Sequence, residues 1–260
     1  MSTLPTQQAH SIASPNPQTS SRRRSQSGAL LVVFTLAILL LTGLPGFSQQ
    51  TYVSRYELYG GYAFLDSPHV SLFENGFQLQ AGARMRAWLT LGFDYSRSTG
   101  SLTLVPSLLP VPLQLKLGAQ LAQLAAAGLI PPGYVLSVPT GSVSQTFAAG
   151  PSFTYRHFKN VTLHIRPSLG AIREVATPRP GDPIATAIVK GLAPNGAKTD
   201  WTGFYGFGGG IDLGVSKHVG IRIQGDFVYD HLFNDILRDG RFTTRFSVGP
   251  IFNFGRNIVK

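Results

Sequence analysis

Few residues in this chain have types and spacing that could carry catalysis. With no cysteine, it has no thiolate nucleophile, disulfide or zinc-thiolate site. A hydrolytic pair would need a histidine and a serine close together on one strand face. His164 is followed by Ile165, Arg166, Pro167 and Ser168, so the short His-x-Ser spacing is missing. His157 and His218 fall in short turns and His231 at the base of a loop, where an imidazole is an ordinary solvated side chain. Asp212, Asp226 and Asp230 could supply an acid/base pair. Arginines recur on the same parity, however, and buried charges of opposite sign are held as pairs. Gly206, Gly208, Gly209 and Gly210 do not spell G-x-G-x-x-G and open no helix. They read as room for bulky neighbours in a narrow interior. The expectation is no catalytic residue, no cofactor and no metal.

What the charged residues do share is one face of alternating segments. Period-two hydropathy predicts strands over 55–64, 77–85, 89–96, 146–156, 161–170, 205–215, 219–230 and 242–254. One face of each is apolar, with aromatics toward its ends, as in Tyr56, Leu58, Tyr62 and Phe64, or in Phe246, Val248, Phe252 and Phe254. The other is rich in Gly, Ser and Thr. It carries Arg55, Glu57, Arg84, Asp94, Arg156, Arg166, Asp212, Arg222, Asp226, Asp230 and Arg245, which form a predicted two-sign luminal charge network. Pro151, Pro167 and Pro250 interrupt the pattern, because proline lacks the donor a ladder needs, and predict bulges or missing bonds.

The connections alternate in length. Short turns are expected at 86–88, 157–160 and 216–218, and long connections after the first, third, fifth and seventh strands. The connection 98–145 contains good helix formers over 113–129, with Leu117, Leu121, Leu124 and Ala125 on one face and Pro131-Pro132-Gly133 as terminator. It reads first as a cap over the barrel mouth and second as a binding surface. Short turns on one side and long loops on the other are the habit of outer-membrane barrels. The fold class is therefore all-β: an antiparallel up-and-down eight-stranded transmembrane β-barrel, with long external loops and a helix in one of them.

Charged residues make up only 13% of the chain, against about 25% in soluble domains. Upstream of the strands, Arg22, Arg23 and Arg24 precede the apolar run 29–41, and small residues follow at Gly46 and Ser48. That order is a secretory signal, and the run is short for a spanning helix. Residues 1–48 are read as a signal peptide with a polar extension, cleaved between Ser48 and Gln49. Residues 49–254 are read as the barrel and 255–260 as a short tail. Without the leader arginines the net charge falls from +10 to +7. The remaining basic residues form no run, so anionic lipid is the expected partner and nucleic acid is not.

The hairpin Arg84-Met85-Arg86-Ala87-Trp88-Leu89 through Asp94-Tyr95, and the ending Gly249-Pro250-Ile251-Phe252-Asn253-Phe254, resemble the small eight-stranded outer-membrane barrels of the OmpA-barrel, OmpX and opacity-protein group. The resemblance spans roughly 51–254. It implies an outer-membrane location in a Gram-negative-type bacterium and a C-terminal assembly signal at Phe252 and Phe254, read by the barrel-assembly machinery. Six residues after Phe254 depart from that pattern, and no peptidoglycan-binding domain follows. The functional expectation is a structural or surface-interaction protein with a charge-plugged lumen and an unidentified extracellular ligand. The alternatives are a narrow porin-like channel and, last, a lipid-modifying enzyme.

Overall fold

The structure is a computed structural model that describes residues 50–131, 133–238 and 240–259; the leader and the Ser48/Gln49 cleavage point lie outside them. Its strands are β1 (Ser54–Ser67), β2 (Leu72–Arg86), β3 (Leu89–Leu104), β4 (Val138–Tyr155), β5 (Val161–Pro178), β6 (Lys198–Gly214), β7 (Val219–Asp230) and β8 (Arg241–Asn257). Each pairs antiparallel with the next, and β8 pairs with β1, closing a barrel of eight strands.

Burial alternates along the wall and is inverted relative to a water-soluble protein. Tyr56, Leu58, Phe77, Leu79, Phe93, Ile223, Phe227 and Val248 face outward, while Glu57, Gln78, Asp94, Arg222, Asp226 and Arg245 are buried inside. Such a wall leaves no unpaired strand edge and presents apolar side chains all round, as a lipid-facing barrel must. Ring contacts gather toward its ends. Tyr56 meets Phe254 and Trp88 stacks on Phe153 at the short-turn end; Tyr205, Tyr229 and Phe242 cluster at the other.

β7 has the expected bounds, and the other strands are longer than the pattern suggested, at 14 to 18 residues. Ser98–Leu104, Val138–Gln145 and Arg173–Pro178, expected in loops, continue the ladders. Their Ser/Thr/Gly composition resembles a loop, yet pairing needs only the backbone and the parity holds. The first long connection is likewise absent, because β1 and β2 pair up to Ser67 and Leu72 around a single 3-10 turn at Pro68–Val70. At the C-terminus, β8 runs past Phe254 to Asn257, which pairs with Ser54.

The prolines remove rungs without slipping the register. In the β4–β5 seam no rung lies between Ala148↔Gly170 and Phe153↔Ile165, so Pro151 stands opposite Pro167. The ladders on their other sides are continuous, so both missing donors fall on the shared seam. Pro250 likewise keeps its rung to Ile221, while the β8–β1 ladder skips between Ile251 and Val248.

The connections carry two helices, α1 (Val111–Ala126) and α2 (Pro183–Leu192). α1 ends earlier than expected. Gly128, at φ 71, closes it as Gly128 N–H bonds Ala125 O and Leu129 N–H bonds Leu124 O. α2 was not foreseen from its β-branched residues, although Asp182-Pro183 is a helix start. The Asp182 side chain accepts from Ala185 N at 2.8 Å and from the Tyr134 hydroxyl at 2.9 Å, pinning one connection to the other. Leu108 of the β3–β4 connection packs against the cluster at the barrel mouth, as a cap would, while the other cluster of that side is built around α1. Its Leu117 packs with Ala185 and Val189 of α2 and Val138 of β4. The lid is the β7–β8 connection, whose Leu232, Phe233 and Leu237 pack onto the inward Leu72, Leu102, Ile172, Phe204 and Val228.

Candidate functional site

Beneath that lid the inward side chains form a column of ion pairs in three tiers. The tier next to the short turns is built by β1, β2, β6 and β7. Arg84 donates from Nη2 to Glu57 Oε2 at 2.5 Å and to Asn253 Oδ1 at 2.7 Å, and from Nη1 to the Ser54 carbonyl at 2.8 Å. Arg222 grips Asp212 with both prongs, at 2.7 and 2.9 Å, and reaches Glu57 Oε1 at 3.2 Å and Gln80 Oε1 at 2.9 Å. Its guanidinium lies 5.6 Å from the centroid of the buried Tyr59 ring. Such planar, multidentate pairing is the kind that offsets the cost of burying charge.

The middle tier joins β3, β5, β7 and β8. Arg245 donates to Asp226 Oδ2 at 3.1 and 2.8 Å, to Asp94 Oδ1 at 3.2 Å, to Ser96 Oγ at 2.9 Å and to Thr146 Oγ1 at 3.0 Å. Arg166 spans the same carboxylates, reaching Asp226 at 2.9 Å and Asp94 at 3.0 Å. Gln78 and Gln80 also donate to Asp94. The glycines of β6 make this tier possible, because a Cβ on Gly208 would lie 1.8 Å from Asp226 Oδ1.

The tier under the lid pairs Arg241 with Asp230 at 2.9 Å and with Glu174, which also accepts from Ser142 at 3.0 Å. Asp230 accepts from Leu232 N at 3.1 Å, tying the tier to the lid. Glu74 is fully buried here, and neither of its oxygens finds a hydrogen-bond partner among the described residues. Glu74, Glu174 and Arg241 lie outside the expected network. Their parity was legible, since they share the inner face with Gln78, Arg166 and Arg245; the underestimated strand lengths hid them.

Glu57, Arg84, Asp94, Arg166, Asp212, Arg222, Asp226, Asp230 and Arg245 all form ion pairs inside the barrel. Two expected members do not. Arg55 is half-buried and forms no ion pair among the described residues, because the register slip between Ser54 and Tyr56 breaks the alternation there. Arg156 lies just past β4 and meets only neutral acceptors: the Ala87 carbonyl at 3.0 Å, Gln50 Oε1 at 3.1 Å and Thr162 Oγ1 at 3.1 Å. Phe252 and Phe254 point outward in the last strand, with Phe254 against Tyr56 across the closing seam.

The space left inside is small. A cavity of about 40 Å³ near Thr90, His164 and Ser168 has room for a few waters. His164 is buried, with Nδ1 3.8 Å from Asp212 Oδ1, beyond hydrogen-bond range. His164 and Ser168 are separated by four strand residues, about 13 Å, too far for direct proton transfer. A larger cavity of about 310 Å³ opens among the short turns. Among the described residues no group of carboxylates and histidines could hold a metal.

The chain matches no sequence-family model and no curated protein. Its fold is similar to that of Neisserial surface protein A, at 12% identity and TM-score 0.44 over 76% of this chain and 96% of that one. It is similar to the attachment invasion locus protein Ail of Yersinia pestis, at 15% identity and TM-score 0.41 over 78% and 99%. It is also similar to the outer membrane protein OprG of Pseudomonas aeruginosa, at 7% identity and TM-score 0.43 over 80% and 99%. Identities this low describe fold alone.

Proposed function

We propose that this chain is an integral outer-membrane barrel whose lumen is sealed and whose work is done by what it displays: a structural or surface-interaction protein, neither pore nor enzyme. The observation that carries this reading is the stack of three inward ion-pair tiers, centred on Arg84 and Arg222, on Arg245 and on Arg241, and lidded by Leu232, Phe233 and Leu237. An eight-stranded barrel is just wide enough for its own side chains, and here those side chains bond to one another across it. The ordered α1–α2 assembly on the long-connection side is the surface offered to a partner. Outer-membrane lipid, the assembly machinery acting on Phe252 and Phe254, and an extracellular ligand of unassigned chemistry are the partners that go with this reading.

Single-channel recording of the purified protein in a planar bilayer tests it. The expected record has no large, stable conductance, only brief small openings when ion pairs exchange. A steady wide-pore current from the unaltered protein would refute the sealed lumen and make the chain a channel.

A further inference from the structure

The end of the lumen among the short turns holds more positive than negative charge. There the buried Arg84 and Arg222 and the half-buried Arg156 stand against only Glu57 and Asp212, leaving one cation in excess. Lys159 and Lys217 line the same cavity and raise the excess to three. The excess sits on Arg156. All its bonds go to neutral oxygens, and its Nη2 is buried with no hydrogen-bond partner among the described residues. Arg84 is buried too, and its Nε is likewise unpartnered. Both arginines front the cavity of about 310 Å³, whose polar rim includes Thr162 and Asn160.

A half-buried guanidinium with no carboxylate partner is costly, and an oxyanion in the adjoining cavity supplies the missing counter-charge. The planar forks of arginine match the oxygens of a phosphate, and rim lysines add point charges at the entrance. The cavity is at the small end of ligand sites, of the order of 300 Å³, which suits a single phosphate group. We propose that this mouth is a binding site for a phosphate group, carried either by inorganic phosphate or by the head of a membrane lipid. The site is separate from the sealed-lumen reading and stands whether or not the barrel conducts.

The test uses the purified full chain in a neutral detergent at low ionic strength, where electrostatic binding is least screened. Calorimetric titration with inorganic phosphate should give saturable one-to-one binding. Arg156→Gln should weaken it at least about tenfold, the loss expected for a charge-assisted contact. The double variant Lys159→Gln/Lys217→Gln changes only exposed side chains, so it keeps the fold and should weaken binding severalfold even where Arg156→Gln assembles poorly. Arg97→Gln, an exposed arginine on the other half of the wall, should change nothing. A second arm embeds each protein in nanodiscs of phosphatidylglycerol or phosphatidylcholine and measures lipid retained after delipidation by native mass spectrometry. Retention of phosphatidylglycerol that depends on Arg156 and the lysines, without binding of inorganic phosphate, assigns the phosphate to a lipid head. Absence of both phosphate binding and lipid retention, or binding that all variants leave unchanged, would overturn the proposal.

Discussion

Arg245 is the hub of the middle tier, and removing it tests whether the column holds the barrel together. Its guanidinium is buried and donates to Asp226, Asp94, Ser96 and Thr146, which lie on three other strands. Arg245→Met keeps most of the side-chain length and deletes the charge. Asp94 and Asp226 would then share Arg166 alone, two carboxylates against one cation away from water. Breaking a buried pair on one side costs about 3–5 kcal/mol. That is a large part of the roughly 5–15 kcal/mol by which folded domains exceed their unfolded states. At a denaturant slope near 2 kcal/mol/M, the urea midpoint of the reconstituted barrel should fall by roughly 2 M. The midpoint is read from tryptophan fluorescence and from the mobility shift of unboiled protein. Adding Asp226→Asn removes the surplus carboxylate and leaves Asp94 to Arg166. The double variant should therefore recover about 1–3 kcal/mol relative to the sum of the single changes. A destabilisation below about 1 kcal/mol for Arg245→Met, together with strict additivity in the double variant, would refute the argument that buried pairing carries the lumen.

Three further outcomes follow from other parts of the molecule. Phe254→Ala should lower the fraction of heat-modifiable, folded protein recovered from the outer membrane; wild-type recovery would count against an assembly role for the last outward row. Pro151→Val combined with Pro167→Val gives the β4–β5 seam two N–H donors at positions already in register, so the thermal midpoint should rise by the equivalent of about 1–2 kcal/mol; an unchanged or lower midpoint would show that the seam was not short of donors. Asp182 accepts from Ala185 N–H and the Tyr134 hydroxyl, which hold its carboxyl below the ordinary carboxylate value. A folded-state value lowered in this way stabilises α2 above the ordinary carboxylate value, and the stabilisation is lost as pH falls from there through the lowered folded-state value. Protease cutting within 179–197 should therefore rise at acid pH in the wild type, while Asp182→Ala should cut readily at neutral pH and lose that pH dependence.

The alternation of single residues made the barrel legible, and the same signal fixed which side chains meet inside it. Glu57, Asp94, Arg222 and Arg245 come from four strands far apart in sequence, yet each is placed by parity alone. Parity does not say where a strand stops. Beyond the apolar belt the outward residues turn polar, so the hydropathy contrast disappears while the backbone ladder continues, as in Ser98–Leu104 against Val138–Ser144. Glu74, Glu174 and Arg241 were lost for that reason. Nor does parity survive a register slip, which is why Arg55 was misassigned. The lid was illegible for a different reason. Phe233 reaches the core from a backbone at φ 55, held by its N–H to Asp200 at 2.5 Å, and no local rule predicts a phenylalanine there.

The weakest stretch of wall and the longest-reaching arginine occupy the same place, and each explains the other. Where Pro151 faces Pro167 the β4–β5 seam has no backbone rungs, and Arg166 stands within that gap, next to Pro167. Its side chain passes β4 altogether, and Nη2 bonds Asp94 on β3 while Nη2 and Nε together hold Asp226 on β7. From the far side Arg245 on β8 grips Thr146 on β4 and the same two carboxylates. A strand pair short of backbone hydrogen bonds would part under strain if nothing else crossed it. Here the crossing is made through the lumen, between strands that are not neighbours. That arrangement needs charged side chains at the middle of the column, long enough to reach over an intervening strand and planar enough to hold two partners, and arginine meets both conditions where lysine does not. The middle tier is therefore part of the wall as well as filling for the lumen, so under the proposed sealed-lumen reading sealing and stability should be lost together when Arg245 or Arg166 is removed.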